Sequence, residues 1–131
     1  MERVSIPVDG AVVSAVVVRG AKVPGPVVVM VPAAFGVADD VLSQLDEMAE
    51  HASLVVAVDL FAHDGRGVIP YGDMPQVMAR IGELDREGSL AKVVAACRWA
   101  KSQDGSNGQA LGLGVCLGGP FAFLAAARGF V

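Results

Sequence analysis

Apolar and polar residues alternate over Arg3–Ile6, and a mainly apolar run follows over Ala11–Val18, with Pro7-Val8-Asp9-Gly10 between them. This pattern predicts two strands joined as a hairpin, because Asp-Gly favours the tight turns that connect antiparallel strands. Short runs dominated by β-branched residues recur at Val27–Val31 and Leu54–Val58. Unbroken apolar runs of this length suit strands buried on both faces. Between the two, Val41, Leu42, Leu45, Met48, Ala49 and Ala52 fall on one face at helical spacing, with Asp39 or Asp40 expected to cap that helix. A second helical region is predicted from about Pro75 to Gln103, broken at Gly88-Ser89, with Leu90, Val93, Val94 and Cys97 on one stripe. The turn Asp104–Gly108 leads into an apolar strand at Gln109–Val115 and a helix at Pro120–Ala127, and Arg128–Val131 reads as a helix end entering another strand. Alternation of strand and helix after the hairpin predicts an α/β fold, a mostly parallel sheet with helices on both faces. Sites in such sheets form at the carboxyl ends of the strands, here Pro32–Gly36, Asp59–His63 and Cys116.

Composition narrows the function. With 131 residues, 53% of them hydrophobic, and a mean hydropathy of +0.54, the chain can bury a core and is too apolar to be disordered. A net charge of −4 without a basic cluster argues against a nucleic-acid surface. The two cysteines, Cys97 and Cys116, form neither a disulfide framework nor a metal-ligand set. No signal-peptide pattern opens the sequence, and the expected compartment is the reducing cytoplasm. Gln109–Ala127 is uncharged and long enough to cross a bilayer. Its glycines and Pro120 make a strand feeding a buried helix the better reading, with no membrane contact.

The candidate chemistry lies at Gly112–Gly119, which reads Gly-Leu-Gly-Val-Cys-Leu-Gly-Gly. Strand, turn and helix follow one another there, and G-x-C-x-G is the cysteine form of the nucleophile elbow. A bulky side chain at Gly114 or Gly118 is expected to collide with the turn. The N–H of Leu117 lies at the helix start, where unpaired donors and the positive end of the dipole favour negative charge. Cys97 reads as core packing. Asp59 is expected to fix the loop that follows it by accepting backbone N–H bonds. Arg66 and Arg80 read as solvated charges, with a grip on a substrate carboxylate as the other possibility. His51 is expected to offset dipole charge at a helix end, and His63 lies in a loop at the catalytic end of the sheet.

Gly114-Val-Cys-Leu-Gly-Gly119 resembles the dienelactone hydrolase family of α/β-hydrolases. Val31-Pro-Ala-Ala-Phe-Gly36, Val58-Asp-Leu-Phe61 and the Ser106-Asn-Gly108 turn resemble further family segments in the same order, and the likeness spans about Val27–Val131. The resemblance implies a partial α/β-hydrolase fold over residues 1–131, a single incomplete domain ending after the helix that follows Cys116. It implies a hydrolase of a small-molecule lactone or carboxylic ester that needs no metal or organic cofactor, with Cys116 as nucleophile, an acyl-enzyme, and an oxyanion hole from the N–H groups of Leu117 and Ala34. Phe35 and His63 are the candidate substrate contacts. The family's Asp and His follow the cysteine, whereas His51 and His63 both precede it, so residues 1–131 alone are expected to be inactive in turnover. Alignment on Phe35-Gly36 places Ala33 where the type enzymes carry a Glu. Two other readings of the motif are thioester chemistry of the class I glutamine amidotransferase kind and a non-catalytic truncated domain. An open sheet edge beside the cysteine strand predicts self-association.

Overall fold

A computed structural model of the chain describes residues 1–130. The hairpin forms from β1 (Glu2–Val8) and β2 (Ala11–Arg19), so Pro7 and Val8, expected in the turn, belong to the strand. Only Asp9 and Gly10 separate Val8 from its partner Ala11, the two-residue loop that Asp-Gly favours. Pro7 is tolerated because β1 is an edge strand, paired with β2 alone. β3 (Gly25–Val31) and β4 (Leu54–Asp59) run parallel, with α1 (Asp39–Ala49) between them in the chain.

α2 (Met74–Gly82) and α3 (Arg86–Lys101) divide the second helical region at Glu83–Asp85, not at Gly88-Ser89. The reason is the cap: the Asp85 carboxylate accepts the Gly88 N–H at 3.1 Å, which starts α3 and leaves Gly88 inside its first turn. Asp39 and Asp40 likewise lie inside the first turn of α1, and Ala38 occupies the cap position without a side-chain bond. Both carboxylates still face the positive end of the helix dipole.

β5 (Ser106–Gly114) pairs parallel with β3, and α4 (Gly118–Ala127) follows it. The sheet order is β1-β2-β4-β3-β5, mixed, with the hairpin antiparallel and β4, β3 and β5 parallel. Alternation within the strands sorts the core into two layers. Leu54, Val56 and Val58 of β4 face the side covered by α3 and α4, with Val93, Ala96, Cys97, Phe121 and Ala125. Val55 and Ala57 face the other side, against Val41, Leu45 and Ala49 of α1. The expected helices on both faces are present. The chain end differs from expectation: Phe130 folds back on α4 and α3, its N–H donating to Ala125 at 2.9 Å and its ring lying 4.5 Å from the Arg98 guanidinium. Val131, part of the expected further strand, lies outside the described residues.

Candidate active site

The turn between β5 and α4 is tied directly to the end of β3. The Val115 N–H donates to the Val31 carbonyl at 3.0 Å, continuing the β3–β5 ladder one residue past the strand. Cys116 follows at φ 52°, the only positive φ at a non-glycine among the described residues. Such a conformation costs about 1–3 kcal/mol and persists only where the surroundings dictate it. Here the surroundings are close backbone. A Cβ on Gly114 would overlap the Gly118 carbonyl, and one on Gly118 would overlap the Val31 carbonyl. Gly119 has open space where a Cβ would stand, so the third glycine of the pattern answers no steric need. Cys116 itself is exposed at the carboxyl end of the sheet.

The loop after β3 reaches the same end. Ala33 to Gly36 close a turn through the Gly36 N–H on the Ala33 carbonyl at 3.0 Å. The Phe35 carbonyl accepts Ile69 N–H at 2.9 Å, and the Ala34 carbonyl accepts Arg80 Nη1 at 2.8 Å. Among the described residues the N–H groups of Ala34 and Leu117 donate to no protein acceptor, while the next two, of Gly118 and Gly119, are used inside the turn. Chemically, this arrangement can hold a sulfur in solvent on a strained, rigid turn, with two uncommitted backbone donors at the same end of the sheet. Among the described residues no group of three His, Cys, Asp or Glu side chains could hold a metal ion.

Beside this loop lies a charged network that the sequence reading missed. Arg80 is only 1% exposed, contrary to the expected solvated charge. Its Nε and Nη2 bind the two oxygens of Asp64 at 2.8 and 3.0 Å, its Nη2 also reaches the Gly67 carbonyl at 2.7 Å, and the Phe61 ring lies 4.7 Å away. With its fork used up, it has no donor pair left for a substrate carboxylate. Arg66 is partly exposed and is bound to both oxygens of Glu83 at 2.6 and 2.9 Å. Burial pushes the Asp64 carboxyl up, but the hydrogen bonds from Arg80 and from the Arg66 N–H prevail and hold it below the ordinary value. The one available signal was that α2 places Val77 and Arg80 on the same helical face, three residues apart.

The remaining candidates sort themselves by position. Asp59 does fix its loop, accepting the Phe61 N–H at 3.2 Å, and it also pairs with Arg3 at 3.1 Å. Cys97 is buried, and burial pushes its thiol up to about 11. His51 is exposed, just past the end of α1. Ala33 and Phe35 are half-buried in the loop, with Phe35 edge-on to Tyr71 at 4.7 Å. His63 sits exposed on a short 3-10 turn, Ala62–Asp64, and lines a cavity of about 190 Å³ with Arg80, Glu83 and Lys92; Cys116, Ala34 and Phe35 are not among the cavity's lining residues. No helix of the described residues is long and apolar enough to cross a membrane.

Comparison with known proteins agrees with this architecture. The family model of dienelactone hydrolases matches residues 13–131. The carboxymethylenebutenolidases of Pseudomonas putida and Pseudomonas knackmussii are each 33% identical over 127 residues, 94% of this chain and 54% of theirs. A crystal structure from Klebsiella pneumoniae, provisionally assigned as a dienelactone hydrolase, matches with a TM-score of 0.81 at 27% identity, over 97% of this chain and 54% of that one. The chain thus spans about half the length of the relatives it matches. An esterase from Pyrobaculum calidifontis shares the fold, with a TM-score of 0.63 at 21% identity. The family match takes in β3, β4 and β5, the loop after β3 and the cysteine turn together, and the chain belongs to the dienelactone hydrolase family.

Proposed function

We propose that this chain carries the nucleophile and oxyanion hole of a hydrolase acting on a lactone or carboxylic ester. The observation that carries the reading is Cys116, exposed at φ 52° on the turn between β5 and α4. In the proposed step the Cys116 sulfur forms a bond to the acyl carbon and the carbonyl electrons move onto oxygen. The N–H groups of Leu117 and Ala34 receive that charge. The oxyanion collapses, the C–O bond to the leaving group breaks, and the thiol proton ends on the departing alcohol. A thioester remains on Cys116 until water, activated by a base, hydrolyses it. Phe35, beside Ala34, is the proposed contact for the acyl group. An exposed thiol with this role suits a reducing cytoplasm.

A polypeptide of residues 1–131 is expected to react once and stop, because neither His51 nor His63 is hydrogen-bonded to Cys116. Incubation with p-nitrophenyl acetate should release one equivalent of p-nitrophenol and leave one acetyl group on Cys116, located by peptide mass spectrometry. Cys97 should stay unmodified, and Cys116→Ala should remove the burst. Acetylation elsewhere, or a burst that survives Cys116→Ala, would refute the reading. Sustained turnover by this polypeptide would refute the single-round expectation.

We also propose that the same polypeptide self-associates through β5. Among the described residues β5 pairs only with β3, leaving one edge open. Leu111 and Leu113 on the strand and Phe123 and Leu124 on α4 are exposed, Phe123 by 73%. An open apolar edge is a template for another chain. Sedimentation velocity should find dimers or larger species, shifted toward monomer by Leu111→Lys with Phe123→Lys. A compact monomer across the concentration range would rule this out.

A further inference from the structure

We propose that Arg80 is a positioning residue that sets the oxyanion loop, an inference that rests on the hydrolase reading above. The turn Ala33–Gly36 has Ala34 and Phe35 as its central residues, closed by the Gly36 N–H on the Ala33 carbonyl. In a turn of this kind the central peptide has two orientations, related by a flip, and these distinguish the common turn types. The carbonyl of that central peptide is Ala34's, and Arg80 Nη1 holds it at 2.8 Å. The guanidinium therefore selects one orientation.

The consequence is electrostatic. With its oxygen held by Arg80, the Ala34 carbonyl dipole is committed to a cation and not to the space beside Cys116. A flip would free that oxygen, and a carbonyl oxygen turned toward a developing oxyanion would repel it. The Ala34 N–H belongs to the preceding peptide, whose own carbonyl is fixed by the Gly36 N–H. Both peptides flanking Ala34 are thus held, one by the turn and one by Arg80.

Arg80 is itself immobilised, which a positioning role requires. Asp64 grips it through both carboxylate oxygens, the Gly67 carbonyl takes a further bond, and Phe61 lies against the guanidinium. Asp64 lies on the loop after β4, so the clamp couples the ends of β3 and β4 through α2. Lysine in this place could keep the charge opposite Asp64 but could not present donors in a fixed fork to Asp64, Ala34 and Gly67 together.

Two reactions of the same sulfur test this. Acylation of Cys116 by p-nitrophenyl acetate passes through an oxyanion. Alkylation by iodoacetamide displaces iodide directly and forms none. Arg80→Lys and Arg80→Met should lower the acylation rate constant by up to about a hundredfold, the lower end of the cost of losing one oxyanion donor outright. Alkylation of Cys116 should change less than about twofold, and Cys97 should stay unlabelled, reporting an intact core. Should Arg80→Met fail to fold, Arg80→Lys, which retains the cation beside Asp64, decides alone. An equal fall in both reactions, or no fall in acylation, would overturn the positioning role while leaving the hydrolase reading intact. If the unsubstituted protein is not acylated at Cys116, that reading fails and this inference fails with it.

Discussion

Gly118→Ala should destabilise the protein by about 3 kcal/mol, the upper end of the usual cost of overpacking, and abolish acylation of Cys116 although the cysteine is untouched. The added Cβ would overlap the Val31 carbonyl, a backbone atom that cannot rotate aside. That carbonyl is already engaged by the Val115 N–H, and Val31 is paired with Gly114 in the β3–β5 ladder. Relief therefore requires lifting the start of α4 from β3, which moves the Leu117 N–H and relaxes the positive φ at Cys116. Gly119→Ala is the matched control. Its Cβ would meet nothing within 4 Å, so it should be neutral or stabilise α4 by up to about 1 kcal/mol through the helix preference of Ala over Gly. Urea denaturation of the two variants, with the acetylation burst measured beside it, checks both. A stable and reactive Gly118→Ala protein would mean that the close approach to Val31 does not define the turn.

The contrast between these neighbouring glycines marks what could be read from the sequence. Local rules identified each strand among the described residues: the hairpin through Asp9-Gly10, the two β-branched runs, and the run into Cys116. They also placed the Pro32–Gly36 loop and Cys116 at one end of the sheet, because the site rule for parallel sheets needs only the pattern of elements. They singled out Gly118 and not Gly119 as a place where a side chain would collide with the turn, but not that the atom it must clear is the Val31 carbonyl of another strand. They placed the helix break at Gly88-Ser89 because glycine weakens helices, whereas the Asp85 carboxylate starts α3 and takes the Gly88 N–H. They assigned Arg80 to solvent because most arginines are solvated. Its burial depends on partners distant in sequence, Asp64, Gly67 and Ala34, which meet only when the loops after β3 and β4 fold over α2.

Those partners also make Asp64 a sensitive position, since it is the counter-ion of a buried arginine. Asp64→Ala should cost about 3–5 kcal/mol, the penalty for leaving a buried ion without its partner. Against a total stability of about 5–15 kcal/mol, that threatens the fold itself. Arg66 cannot substitute as a counter-ion, being of like charge to Arg80 and already bound to Glu83. Replacing Arg80 by an apolar residue at the same time should not restore stability fully, because the carbonyls of Ala34 and Gly67 would lose their buried donor. Acid provides the same test without a mutation. The Asp64 carboxyl is held below its ordinary value in the folded state, so its contribution is complete above about pH 4, the ordinary carboxylate range, and drains away as the pH falls further toward the folded value. Glu83, lowered by its bond to Arg66, loses its smaller share in the same direction. Urea midpoints measured from neutral pH downward should hold steady until that range and then decline. Asp64→Asn should begin lower at neutral pH and decline less steeply, since it has no proton to take up at this position. Parallel curves for the two proteins would mean that the Asp64–Arg80 pair is not what holds the loops together.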